Sequence, residues 1–85
     1  MGRQEKLLNR LLRIPKDFTW DELANILSMY GYVEIKKGKT GGSRRKFMNI
    51  DQSIISLHKP HPSNILKEYV LKQVIAELKE KGFIR

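Results

Sequence analysis

The chain has 85 residues, 40% hydrophobic and 31% charged, so it has room for one small domain and is too apolar for a disordered protein. It contains no cysteine, which excludes a disulfide framework and any zinc site with thiolate ligands. Its formal net charge is +8, which favours an anionic partner.

The N-terminal region predicts a short amphipathic helix. Its leucines recur at helical spacing, at Leu7, Leu8, Leu11 and Leu12. Pro15 ends this pattern, so residues 1–14 are interpreted as a helical extension and residues 19–84 as the core of a single domain, 1–85. The N-terminus lacks the apolar stretch of a signal peptide and no run has transmembrane length, so we expect a cytoplasmic protein that does not bind a membrane.

A capping box predicts the start of a second helix. The Thr19 hydroxyl can accept a hydrogen bond from a first-turn amide, while the Glu22 carboxylate reaches back to the capping residue. An apolar stripe follows, formed by Leu23, Ile26, Leu27 and Tyr30. Gly31 supplies the left-handed residue at which such a helix ends, and Trp20 is interpreted as a core contact in preference to a stacking platform for bases.

The hydrophobic period then changes from 3.6 to 2, which indicates strands. The predicted segments are a first strand from residue 32, a glycine-rich turn over 38–42, and strands over 43–50 and 53–58. Phe47 favours burial of the face that also carries Arg45 and Asn49. Arg44 and Lys46 are therefore expected on the open face of the sheet.

Two prolines make residues 59–64 a loop, and helical spacing returns from about Lys67 and ends at Gly82. The predicted order is helix, helix, strand, strand, strand, helix. The simplest fold that buries these stripes is α+β, with a three-stranded antiparallel sheet covered by helices on one face.

The positive charge is concentrated in residues 36–67. This segment holds eight lysines and arginines against one acid, Asp51, and therefore has a formal charge of +7. Such a cluster can neutralise several phosphates and makes binding salt-dependent. The alternative is a solvated charged face, which is frequent on small basic domains.

Two histidines in this segment, His58 and His61, raise the question of catalysis. RNA cleavage needs a base that activates the 2′-hydroxyl and a cation that stabilises charge on the phosphorane. A histidine near a turn is more often structural or simply exposed. The case for a metal site is weaker still, because the two histidines offer two nitrogens at best and Asp51 is the only nearby carboxylate. We therefore expect no metal or cofactor.

Several short motifs resemble the HicA family, the small toxins of bacterial toxin–antitoxin pairs. They are Tyr30-Gly31-Tyr32, then Gly42-Ser43-Arg44-Arg45-Lys46-Phe47, then Ile55-Ser56-Leu57-His58, followed by a helix over 67–75. The resemblance covers roughly Thr19 to Ile84. It implies a fold like the double-stranded-RNA-binding domain, an mRNA-cleaving endoribonuclease activity and neutralisation by a HicB-like antitoxin.

One position departs from the family pattern. The family has Gly-Ser-His in the second strand, with this histidine catalytic, whereas the chain has Arg44 there. Arginine is not a general base at physiological pH, so only a phosphate-binding role carries over. Three outcomes stay open: His58 is the base with Arg44 as the electrostatic clamp, the domain binds RNA without cutting it, or another residue is used.

The leading hypothesis is a HicA-like toxin that binds RNA and cleaves mRNA without a metal. His58 and Arg44 are its predicted catalytic residues. The predicted nucleic-acid contacts are Lys36, Lys39, Ser43, Arg44, Lys46, Lys59 and His61. The alternatives are a non-catalytic RNA-binding module and an inactive toxin-like domain that chiefly binds an acidic HicB-like partner.

Overall fold

The computed structural model describes residues 3–35, 44–60 and 62–84. The elements in chain order are α1 (Arg3–Leu12), α2 (Trp20–Met29), β1 (Val33–Ile35), β2 (Arg44–Met48), β3 (Ile54–His58) and α3 (Glu68–Glu80). The strands form an open antiparallel sheet in the order β1-β2-β3. The predicted α+β fold and its element order are confirmed, and the architecture is consistent with that of a double-stranded-RNA-binding domain.

The two ends of α2 have the predicted capping geometry. The Glu22 amide donates to Thr19 Oγ1 at 3.2 Å, and the Thr19 amide donates to Glu22 Oε1 at 2.9 Å. At the other end Gly31 has a φ of +87°, a conformation that side chains with a Cβ disfavour. β1 begins at Val33, one residue later than predicted, because the Tyr32 amide still donates to the Leu27 carbonyl at the end of α2.

The N-terminal helix α1 ends at Leu12, before Pro15, because Ile14 takes a left-handed φ of 51° and its amide donates to the Leu11 carbonyl at 2.9 Å. Leu11 is fully buried in the common core. Arg10 holds α1 to the start of α2, since its guanidinium lies 2.9 Å from Glu22 and 2.6 Å from Asp17.

The hydrophobic core lies between the helices and one face of the sheet. The sheet contributes Phe47, Ile55 and Leu57, all almost fully buried. Trp20 packs against Phe47 with their ring centroids 5.6 Å apart, which confirms Trp20 as a core residue. Phe47 thus marks the buried face, as predicted, and Asn49 is buried on the same side, where its Nδ2 donates to the Tyr30 carbonyl.

The turn between β2 and β3 shortens both strands relative to the sequence prediction. The Asn49 amide donates to the Ser53 carbonyl and the Gln52 amide donates to the Asn49 carbonyl, each at 2.9 Å. Gln52 has a φ of +68°. The predicted glycine turn over 38–42 lies outside the described residues.

The segment after β3 is joined to the start of α2 by backbone hydrogen bonds. The Trp20 amide donates to the Asn64 carbonyl at 2.9 Å, and the Leu66 amide donates to the Phe18 carbonyl at 2.8 Å. Thr19 and Ile65 form an isolated antiparallel bridge between them. These contacts hold the end of the proline-containing loop beside the start of α2. None of the helices in the described segments has the length and apolar character needed to cross a membrane.

Candidate nucleic-acid interface

The register of the sheet decides which side chains share its open face, because directly opposed residues of antiparallel strands point to the same side. Arg44 is opposite His58, Lys46 is opposite both Ile35 and Ser56, and Met48 is opposite both Val33 and Ile54. These eight residues lie on the side of the sheet away from Phe47, Ile55 and Leu57. The open face therefore has a basic end and an apolar end.

The basic end brings together three of the predicted site residues. Arg44, Lys46 and His58 are all exposed. Directly opposed side chains have Cβ atoms about 4.5–5.5 Å apart, so the Arg44 guanidinium and the His58 imidazole can reach one phosphate. Lys46 lies two residues along the same strand and adds a second cation. This arrangement suits an anionic ligand with a proton acceptor beside it.

Ser56 belongs to this group, although the sequence analysis did not select it. It is half-buried, directly opposite Lys46 and two residues from His58 on the same strand. A hydroxyl at this position can donate to a phosphate oxygen. The period-2 relation between Ser56 and His58 was the signal that could have identified it.

Arg45 is directed away from the open face. Its Nε lies 3.3 Å from a carboxylate oxygen of Glu34, on the side covered by the helices. The three consecutive cations Arg44-Arg45-Lys46 are therefore divided between the two faces. Only the first and third are available to a ligand on the open face.

Lys59 follows His58, and its Nζ lies 6.0 Å from the centroid of the Trp20 ring. The side chains of consecutive residues in extended chain point to opposite sides. The Lys59 side chain therefore points away from that of His58 and contacts the first turn of α2. The structure therefore brings Arg44, Lys46 and His58 together, and places the Lys59 ammonium group against Trp20. The remaining predicted contacts, Lys36, Lys39, Ser43 and His61, lie outside the described residues.

The one acid of the basic segment, Asp51, is in the β2–β3 turn, at the opposite end of the sheet from Arg44 and His58. Hydrogen bonds with the Ser53 side chain and amide hold the pKa of this exposed carboxyl below its ordinary value, and Lys81 adds a smaller effect in the same direction. Within the described segments, no group of three or more His, Cys, Asp or Glu side chains is placed to hold a metal ion.

Comparison with known proteins gives the family. A family model described as the HicA toxin of bacterial toxin–antitoxin systems matches residues 20–83, well over half of the chain. No curated protein and no solved structure gave a match. The matched segment contains α2, the whole sheet and α3, which are the elements that build the face described above. The chain therefore belongs to the HicA family, the toxins of bacterial toxin–antitoxin systems.

Proposed function

We propose that this chain is an RNA-directed toxin that binds single-stranded mRNA on the open face of its sheet and cleaves it. The observation that carries the proposal is the direct opposition of Arg44 and His58 across β2 and β3, with Lys46 beside them. Cations that flank a proton acceptor supply the two elements that cleavage at a 2′-hydroxyl requires.

The proposed reaction needs no metal. The His58 imidazole accepts the proton of the 2′-hydroxyl, and the resulting oxygen attacks the adjacent phosphorus. Arg44 and Lys46 bind the non-bridging oxygens and stabilise the charge that develops on the phosphorane. The bond from phosphorus to the 5′-oxygen then breaks, and the departing oxygen takes a proton from the imidazolium. The products are a 2′,3′-cyclic phosphate and a free 5′-hydroxyl.

A second candidate function is RNA binding without cleavage. The observation that favours it is the side chain at position 44, since an arginine binds phosphate but does not exchange protons near neutral pH. In either case the partner in the cell is a HicB-like antitoxin, and the toxin acts on RNA in the cytoplasm.

The two candidates are separated by a cleavage assay on purified protein with a single-stranded RNA and a chelator. Cleavage is expected in the parent, and a fall of roughly 10²-fold or more in His58→Ala. Lys79→Ala, which removes an exposed cation from α3, is the matched control and is expected to cut normally. An RNA with a 2′-deoxy sugar at the cut position is expected to stay intact.

Three outcomes would decide between the two functions or overturn them. Tight RNA binding by the parent without any product selects the non-catalytic function. Undiminished cleavage by His58→Ala overturns the assignment of His58 as the base. Failure of the parent to bind RNA contradicts both.

A further inference from the structure

The apolar end of the open face is a row of three exposed aliphatic side chains, one from each strand: Val33, Met48 and Ile54, called here the apolar row. Met48 is directly opposite both of the others. The exposed fractions are 68% for Val33, 37% for Met48 and 50% for Ile54. Because neighbouring strands are about 4.8 Å apart, the three side chains are contiguous and the row is about 10 Å wide.

A row of this kind differs from the single exposed aliphatic residues found on any protein surface, because contiguous exposed apolar patches mark interaction sites. The helices pack on the other face of the sheet, against Phe47, Ile55 and Leu57. Nothing in the described part of the chain covers the apolar row. The row is therefore available to a ligand that also occupies the basic end of the open face.

The strand β2 connects the apolar row to the cations that are proposed to bind phosphate. Arg44, Lys46 and Met48 follow one another on the open face at steps of two residues, and each step is about 7 Å long. This length is close to the distance between successive phosphates of an extended single strand. A strand whose scissile phosphate lies at Arg44 can therefore place the next phosphate at Lys46, and one further step reaches the apolar row.

The chemistry of the row identifies the part of the RNA that lies there. Its three side chains carry neither a positive charge nor a strong hydrogen-bond donor, so they do not bind a phosphate oxygen. The flat faces of the bases are the apolar parts of RNA, and proteins hold unstacked bases against aromatic or apolar side chains. A surface about 10 Å wide is large enough for a base to lie flat across it.

We propose that the apolar row is a base-binding subsite, which takes an unpaired base of a nucleotide close to the cut. This inference rests on the proposed function, because it adds a base contact to the same RNA site. A base lies flat on the row only when it is unpaired and unstacked, so the row selects single strands, which phosphate contacts alone do not. None of the three side chains reads the edge of a base, so the contact accepts any sequence.

The test compares the binding of two strands with equal length and charge. One is a short RNA with 2′-O-methyl sugars, which cannot be cut, and the other is a chain of abasic spacers with the same number of phosphates. We expect the parent protein to bind the RNA at least about tenfold more tightly than the abasic strand. In the triple variant Val33→Thr/Met48→Thr/Ile54→Thr this preference should fall below about threefold, while affinity for the abasic strand changes by less than about twofold.

A variant that gains affinity keeps the test independent of how the triple variant folds. Val33 is the most exposed member of the row and lies on an edge strand, so Val33→Tyr adds a ring on which a base can stack. RNA binding should strengthen by about threefold or more, and binding of the abasic strand should not change. Leu12→Tyr alters an exposed aliphatic side chain of α1, outside the sheet, and is the matched control that should change neither affinity. Lys46→Ala should weaken the binding of both strands, because it removes a phosphate contact.

Equal binding of the two strands by the parent protein overturns the base-binding subsite and leaves the proposed RNA function intact. A preference for RNA that persists in the triple variant assigns the base contact to another part of the protein and also overturns the inference. So does a Val33→Tyr variant that gains no affinity for RNA. If the parent binds neither strand, the proposed function itself fails, and the inference fails with it.

Discussion

Arg44 and His58 occupy directly opposed positions on β2 and β3, with both side chains on the open face of the sheet. Position 44 is the one at which the resemblance to HicA toxins predicts a histidine. A second imidazole there would face His58 across the strand pair, so that one ring can accept a proton while the other donates one.

We therefore predict that Arg44→His raises RNA cleavage by about tenfold or more, because general acid–base groups typically contribute about 10²–10⁴-fold. The rate should show a bell-shaped pH dependence, measured on a fluorescently labelled RNA. Arg45→His is the matched control, since Arg45 lies on the covered face with Glu34. A variant at position 44 that still binds RNA but cuts no faster than the parent would contradict this prediction.

Lys46→Ala should weaken RNA binding and reduce its dependence on salt. Each phosphate contact on a single strand contributes about 0.7 to the slope of log affinity against log salt concentration, so one contact less should lower the slope by about that amount. The measurement is a fluorescence anisotropy titration at several salt concentrations. Lys79→Ala removes the same charge from α3 and should leave the slope unchanged; equal slopes for Lys46→Ala and the parent would remove Lys46 from the RNA contacts.

Glu22→Ala should lower the free energy of unfolding by about 1–2 kcal/mol. The carboxylate accepts a hydrogen bond from the Thr19 amide in the capping box and pairs with Arg10 at 2.9 Å, so its loss also removes an ion pair between α1 and α2. Urea denaturation followed by circular dichroism measures the effect. Asp21→Ala removes an exposed acid from the same helical turn, and a loss as large as that of Glu22→Ala would mean that helix-dipole interaction, not these contacts, is responsible.

Gln52→Gly should stabilise the protein by about 0.5–1 kcal/mol, because a left-handed conformation costs a residue with a Cβ about 1–2 kcal/mol and glycine's extra unfolded-state entropy offsets only part of that. Gln52 has a φ of +68° in the turn closed by the Asn49 and Ser53 hydrogen bonds. The midpoint of urea denaturation is the measurement. Gln52→Ala keeps the strained conformation and should give no gain; equal stabilisation by both would show that strain at this position is not the cause.

Local sequence signals were sufficient for much of the fold. The capping box at Thr19 and Glu22, the left-handed Gly31 and the burial of Phe47 each depend on residues within a few positions of one another, and each is confirmed. These features place α2 and give the two faces of the sheet, and with them the exposure of Arg44 and Lys46.

The positions of the basic side chains on the two faces of the sheet could be determined only from the tertiary structure. The alternation of side chains along β2 predicts that Arg45 lies on the same face of the sheet as Phe47. Its ion pair with Glu34 depends in addition on the register between β1 and β2, which no local pattern specifies. Lys59 lies against Trp20 because the chain after β3 joins the start of α2, a contact between residues about forty positions apart. The alignment of Val33, Met48 and Ile54 on the open face needed the same information, since the three residues come from three strands.

The bridge between Thr19 and Ile65 has a consequence for how the protein unfolds. The amides of Trp20 and Leu66 are hydrogen-bonded across this junction, next to Phe18 and Leu66 in the core. Their exchange with deuterium should therefore require opening of the α2 junction and not merely fraying of the loop. Residues 64–66 are in this way part of the cooperative folding unit, and a molecule that loses this junction should lose the open face of its sheet in the same step.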